Sequence, residues 1–367
     1  MRLTFVLPVV DLAGGNRVVA NIADRLQQRG HAVNLVSVPR RRSYLGKLKS
    51  LISGRGWPRD SLPGPSHFDK ISIPHHVLNF ARPVLDDDVP DGDVVIATWW
   101  ETAEWVANLS PKKGAKAYFM QQHEVFDYLP IERVKATYRL PLYKIASSRW
   151  LVDVAAREYG DHRVWVVHNG VDTQQFNAPP RARQAKPTIG LLYATPGWKG
   201  LDVSLRAIEL VRKRIPDLRI VTFGTESIAA HLPLPANSTF HYRPEQALIP
   251  KLYAACDVWL CGSYTEGFHL PPLEAMACRC PVVSTTVGGP MDIIESGQNG
   301  YLVPVGNAEM LADRLVNVLN LNEVAWRAMS DAALATAARY TWDNATDSFE
   351  GALCDVVKND TDPHQVG

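Results

Sequence analysis

Long apolar runs are missing from this 367-residue sequence, and no stretch reaches the roughly 18 consecutive apolar residues of a membrane-spanning helix. Charge of one sign is missing too. The 39 Lys and Arg and 38 Asp and Glu leave a formal net charge of +1, which gives a nucleic-acid partner no support. Cysteine is scarce and odd in number: Cys256, Cys261, Cys278, Cys280 and Cys354. No second cysteine pair or histidine pair accompanies Cys278-x-Cys280 to complete a zinc site, so free thiols in a reducing compartment are expected. The opening "MRLTFVLPVVDLAGG" lacks a small-residue cleavage site, and a cytoplasmic location is expected, extending to the inner face of the membrane. The glycine pair that ends this run lacks the G-x-G-x-x-G dinucleotide pattern.

What is present is an ordinary globular composition, 46% apolar and 21% charged, on a chain long enough for two domains. "LTFVLPVV", the turn "DLAGGN", the helical stripe Val18, Val19, Ile22, Ala23, Leu26 and "HAVNLVSV" read as a βαβ unit. "DVVIAT", "AKAYFM", "KIASS" and "RVWVVH" are further buried strands. After the Pro- and charge-rich "NAPPRARQAKP", a second α/β series begins with "TIGLLYA", "LDVSLRAIELVRKRI" and "LRIVTFG", and a long helix is expected from about Asn307. The expected domains are 1–176, 177–341, and a helix from 342 that returns to the first domain before a polar tail ending at 367. Two such domains in tandem place a ligand cleft between the carboxyl ends of two sheets. Residues 1–178 carry 23 basic and 18 acidic residues, the remainder 16 and 20, so the first half favours an anionic partner. Residues 40–59, "RRRSYLGKLKSLISGRGWPR", hold seven Lys/Arg and no acid, with Leu45, Leu48, Leu51 and Ile52 able to share a helical face. Such a helix can rest on anionic lipid; a solvated loop is the alternative.

The run "EGFHLPPLEAMACRCPVV" sets Glu266 ahead of a Pro-Pro pair and Glu274 inside the helix that the prolines open. The amides of Gly267, Phe268, His269 and Leu270 precede the positive end of that helix, a place that suits phosphate. Carboxylates on either side suit hydroxyl donors instead, and a sugar nucleotide carries hydroxyls on both sides of its diphosphate. A glutamate in a first turn is common on dipole grounds alone, so the pair and its surroundings carry the inference.

The run from "YTEGFHLPPLEAMACRCPVVSTTVGGP" to "GYLVPVGN" resembles the signature of retaining nucleotide-sugar glycosyltransferases of the GT-B fold, glycosyltransferase family 4, whose hallmark is two glutamates separated by seven residues. "AGGNRVVANIADRLQQRGH", "HNGVDTQQF", "WKG" and "LIPKLYAACDVWLCGS" extend the likeness over most of the chain outside about 39–92. The resemblance implies two Rossmann-like α/β domains facing each other across a cleft. It implies that Glu274 accepts from ribose hydroxyls, Glu266 from the donor sugar, and that the amides of 267–270 hold the sugar and distal phosphate. Gly14 and Gly15 would let backbone approach the diphosphate, and Lys199 would neutralise the leaving group. His123 would stand near the reacting centre. No metal and no cofactor are implied, the nucleotide diphosphate sugar being a substrate.

Three positions depart from the pattern. Ala194 stands where arginine is usual, with Arg243 a candidate replacement, and His269 and Arg279 stand where glycine is usual. His269 is expected to contact the sugar or to cap the helix. On the acceptor side, Trp99, Trp100 and Glu101 follow one strand, and His123 and Glu124 follow another. Tryptophan there can stack on a sugar ring or simply pack. The expected function is transfer of a hexose to a hydroxyl of a glycan or lipid-linked acceptor in cell-surface polysaccharide synthesis, with retention and by front-face attack. The alternatives are a non-catalytic nucleotide- or glycan-binding module, and a GT-B epimerase or phosphorylase.

Overall fold

The computed structural model describes residues 1–40 and 64–361; all of the basic 40–59 stretch except Arg40 lies outside the described residues. The chain forms two compact units. The first comprises Met1–Ser147, Leu151–Val167 and the chain from Ala345 onward; the second comprises Ser148–Trp150 and His168–Asn344.

The first unit is built on β1 (Arg2–Leu7), β2 (Ala32–Ser37), β3 (His75–Val77), β4 (Val94–Ala97), β5 (Ala115–Met120), β6 (Tyr143–Ala146) and β7 (Val164–Val166). Their order in the sheet is β3-β2-β1-β4-β5-β6-β7. The second unit has β8 (Thr188–Leu192), β9 (Arg219–Gly224), β10 (Ser238–Tyr242), β11 (Val258–Cys261), β12 (Val282–Thr285) and β13 (Gly300–Val303), ordered β10-β9-β8-β11-β12-β13. Every strand pairing is parallel. Parallel strands need covered faces, and the central ones read accordingly: β4 (VVIA), β11 (VWLC) and β12 (VVST) are buried at every residue. In the second unit Ile189, Leu191 and Leu260 pack with Ile208, Leu311 and Leu315 on one side of the sheet, and Trp259 packs with Tyr253, Leu273 and Met276 on the other.

Two strands have no apolar run to announce them. β3 is "HHV" and β10 is "STFHY", and both lie at sheet edges, where only part of each strand must be buried. The long helix expected from Asn307 is two helices, Ala308–Leu319 and Glu323–Ala337, because the Asn322 side chain accepts from Ala325 N–H and starts the second. The final helix, Trp342–Thr361, presents Ala345, Phe349, Ala352, Leu353 and Val356 as one buried stripe. Phe349 lies against Phe5 of β1 and Phe119 of β5, with ring centroids at 6.1 and 5.0 Å. Glu350 ties the same helix to Arg29 and to His31, at 2.9 and 2.8 Å.

Candidate active site

In each sheet the strand order reverses beside the first strand, and loops leaving the two strands at that point diverge to form a crevice. In the second unit these are the loops after β8 and β11. The first carries Lys199 and the second Glu266, so topology joins residues that are 67 positions apart. Lys199 Nζ donates to both carboxylate oxygens of Glu266, at 2.9 and 3.0 Å, and Ser263 Oγ donates to Oε1 at 2.8 Å. The loops are also tied through backbone, Tyr264 N–H donating to Trp198 C=O at 2.8 Å.

The run 266–269 lies against the turn after β12. Gly289 N–H donates to Gly267 C=O at 3.1 Å. Gly288 has φ 39°, and a β-carbon there would collide with the carbonyl oxygens of Gly267 and Glu266. "TTVGGP" thus forms the back wall of the loop. Its front is the helix Leu270–Ala277, opened by Pro271 and Pro272 in the first turn. The N–H groups of Gly267, Phe268 and His269 donate to no acceptor among the described residues. Glu274, one turn into the helix, is buried, and its Oε2 accepts from Tyr253 O–H at 2.9 Å. Burial, then the Glu274 charge, hold the Tyr253 hydroxyl well above its usual range, so it stays a donor.

His269 occupies the cap position of this helix at φ 68°, ψ 84°, and its side chain makes no cap bond. Nδ1 lies 3.1 Å from Glu266 Oε1 and the imidazole is 5% exposed. A non-glycine residue held there costs of order 1–3 kcal/mol. Burial, against the attraction of Glu266 and with the help of Lys199, pushes His269 down to about 4, so the ring is neutral at pH 7. Glu266 is itself buried, which raises its carboxyl, but the charges of His269 and Lys199 and the bonds from Lys199 and Ser263 prevail and hold it low. At neutral pH, with the imidazole uncharged, Lys199 is the cation that keeps it ionised.

The imidazole gives a pH prediction. Unfolded, it takes a proton near 6.5; folded, near 4. Between those values the unfolded chain binds more protons, so stability falls as pH drops, by about 3 kcal/mol over the window. Urea unfolding at pH 7 and 4.5 should show His269→Asn losing less stability on acidification than the parent chain. Equal losses would contradict the neutral assignment.

Arg243 does not join this cluster. It stands at φ 46° after β10, exposed, its Nε donating to Thr225 C=O at 3.0 Å and its guanidinium 5.1 Å from the Tyr242 ring. At the neighbouring loop, Thr195, next to Ala194, donates N–H and O–H to Glu226. Arg279, at φ 59°, donates to Ala178 C=O and pairs with Asp331.

In the first unit the reversal lies between β1 and β4. Gly14 and Gly15 open the helix Gly14–Gln28; among the described residues a β-carbon at Gly14 would meet nothing within 4 Å, and the nearest atoms to one at Gly15 belong to the Gln121 side chain, from 3.5 Å. After β4, Trp99 is the half-buried cap of the helix Trp100–Ala107, and Glu101 lies in its first turn. Trp100 is 4% exposed, with the Arg133 guanidinium 5.0 Å from its ring. Glu124 is 1% exposed, and its Oε2 accepts from Trp100 N–H at 2.8 Å and from Tyr118 O–H at 3.3 Å. Burial pushes this carboxyl well up despite those bonds, and the bond from Trp100 N–H ties it to the start of the helix. His123 Nε2 lies 2.7 Å from Tyr159 Oη, and burial lowers its pKa, with Glu158 opposing.

Sequence reasoning did not single out Ser263 or Tyr253, the groups that orient the two glutamates. Ser263 could have been found from its place three residues before Glu266; Tyr253, 21 positions before Glu274, gives no such signal.

Residues 12–175 match the family model described as Glycosyltransferase Family 4, and residues 172–334 the model described as Glycosyl transferases group 1. A D-inositol 3-phosphate glycosyltransferase of Mycobacterium avium (strain 104) is 33% identical over 208 residues, 51% of this chain and 48% of that protein. Its counterpart in Mycobacterium leprae (strain TN) is 32% identical over 209 residues, 51% and 48%. The match thus spans about half the length of these curated relatives. Among solved structures, Anabaena Alr3699/HepE in complex with UDP superposes with a TM-score of 0.73 at 18% identity, covering 97% of this chain and all of that one (100%). Sucrose-phosphate synthase (tll1590) from Thermosynechococcus elongatus gives 0.71 at 15% identity, covering 97% and 99%. The fold is GT-B, two Rossmann-like domains. Matched in chain order by these two models, the chain belongs to the group 1/family 4 glycosyltransferases.

Proposed function

We propose that this protein is a retaining hexosyltransferase that uses a nucleotide diphosphate sugar and a hydroxyl acceptor on a glycan or lipid-linked molecule, in cell-surface polysaccharide synthesis. The observation that carries the reading is the loop 266–270: amides at a helix start, those of Gly267, Phe268 and His269 without an acceptor among the described residues, flanked by two buried glutamates and reached by Lys199. Glu274 accepts from the ribose hydroxyls and Glu266 from a hydroxyl of the hexose. The loop amides and the helix dipole hold the distal phosphate without added charge. Lys199 turns part of its ammonium to the phosphate oxygen where negative charge grows as the bond to the sugar breaks. The acceptor oxygen bonds to the anomeric carbon on the same face, and its proton goes to the departing phosphate oxygen. His123 and Trp99 are the groups to test on the acceptor side.

The HepE crystals hold UDP and UDP-glucose, which makes UDP-hexoses the first donors to try. The inositol phosphate relatives point to a phosphorylated polyol as the first acceptor. Stoichiometric release of nucleoside diphosphate with an acceptor, and an α-linked product from an α-linked donor, are the expected results. Ala194 and the neighbouring acid Glu226 favour one second reading, a module that binds a nucleotide sugar without transfer. Absence of acceptor-dependent release with donors that bind would establish it. Glu274→Ala is expected to weaken nucleotide binding by about 10–100-fold, the loss of hydrogen bonds to a charged group. Titration calorimetry checks this, and unchanged affinity would remove Glu274 from the site.

A further inference from the structure

We propose that His269 is a positioning residue: its imidazole fixes the Glu266 carboxylate in place, and this contact is why a side chain stands where the backbone favours glycine. The inference rests on the reading of Glu266 as the group that accepts from the donor sugar. Three observations carry it. The residue is held at φ 68°, in the region that glycine enters freely and other residues rarely. Its side chain makes no helix cap, so capping does not account for its presence. The ring is turned inward instead, 5% exposed, with Nδ1 3.1 Å from Glu266 Oε1.

The chemistry of the cluster explains the residue type. Glu266 already has one cation, Lys199, donating to both its oxygens, and Ser263 donates to Oε1. A second fixed cation would repel Lys199 and displace it from the same carboxylate. A neutral imidazole sets its Nδ1 edge against Oε1 at 3.1 Å and adds a rigid wall without adding charge. With Ser263 and His269 as neighbours that bear on it independently of Lys199, Glu266 keeps its place when Lys199 turns toward a phosphate, which is what a group aimed at one sugar hydroxyl needs.

Substitutions separate this role from a structural one. Glycine relieves the backbone but removes the imidazole. Asparagine tolerates positive φ better than most residues, and its Nδ2 is as many bonds from Cα as the histidine Nδ1. His269→Gly is expected to melt at the same temperature as the parent or higher, with kcat lowered about 10-fold or more and donor KM changed less than about threefold. His269→Asn is expected to keep kcat within about threefold of the parent. Parent-like kcat in His269→Gly, or equal losses in both variants, overturns the proposal.

A second measurement needs no turnover. Nitrogen-15 NMR of histidine-labelled protein without ligand should show His269 as the neutral Nδ1–H tautomer at pH 7, with its signal shifted in Glu266→Gln. An Nε2–H tautomer, or no response to Glu266→Gln, overturns the positioning contact. Should the parent transfer no sugar from any donor, the functional reading fails by itself, and this spectrum still decides the contact.

Discussion

Lys199→Met is expected to lower kcat by about 10²–10³-fold at saturating donor, the loss typical of one preorganised electrostatic group. Glu266→Gln is expected to fall in the same range. The double variant should lie little below either single one, because Lys199 and Glu266 are bonded to each other through both carboxylate oxygens and work as one unit. The substitution at Lys199 has a second consequence. Glu266 is then buried without the cation that keeps it ionised at neutral pH, and burial drives its carboxyl upward. Stability at pH 7 should fall by about 1–3 kcal/mol, the penalty for a buried group left unsatisfied, and recover in the double variant. Steady-state kinetics and urea unfolding of the four proteins check both statements. Multiplying losses in kcat would mean that the two residues act independently.

Phe349→Ala is expected to destabilise the first unit by about 3–5 kcal/mol. Phe349 is 0% exposed, and it sits between Phe5 and Phe119, side chains of two strands of the first sheet. Truncation leaves a cavity between the two remaining rings that the surrounding parallel strands cannot collapse to fill. Lys358→Ala, exposed on the same helix, should stay within about 0.5 kcal/mol of the parent. Urea midpoints of the two variants give the contrast. A Phe349→Ala loss as small as that of Lys358→Ala would show that the final helix is not part of the first core.

The central strands were legible because parallel strands covered on both faces must be apolar throughout, as "VVIA", "VWLC" and "VVST" are. β3 and β10 were not, since an edge strand with exposed positions can be as polar as "HHV" or "STFHY". The helix after Asn307 illustrates another limit: apolar periodicity continues across Asn320–Asn322, and only a capping side chain divides it. Within the site, Glu266, the loop amides and Glu274 fall in nine consecutive residues, so local pattern exposes them. Lys199 was reached by resemblance, and the bond that makes it a partner of Glu266 depends on the loops after β8 and β11 meeting at the reversal of strand order. Tyr253 and the inward turn of His269 depend on packing that no local spacing encodes. Glu124 and Trp100 show the converse: strand-end position made them acceptor-side candidates, with packing the alternative for the tryptophan, and a helix start needing an acceptor and a ring needing cover bury both.

The most direct measurement is a crystal structure of the protein with whichever of UDP-, GDP- or dTDP-glucose raises its melting temperature most. A ligand at about 100 times its dissociation constant adds roughly 2.7 kcal/mol, enough to identify the base. Ribose hydroxyls are expected on Glu274, the distal phosphate at the amides of 267–270 beside Lys199 Nζ, and a hexose hydroxyl on Glu266. A diphosphate bound elsewhere with Glu266 and Glu274 untouched, or no stabilisation by any of the three, would contradict the proposed donor site.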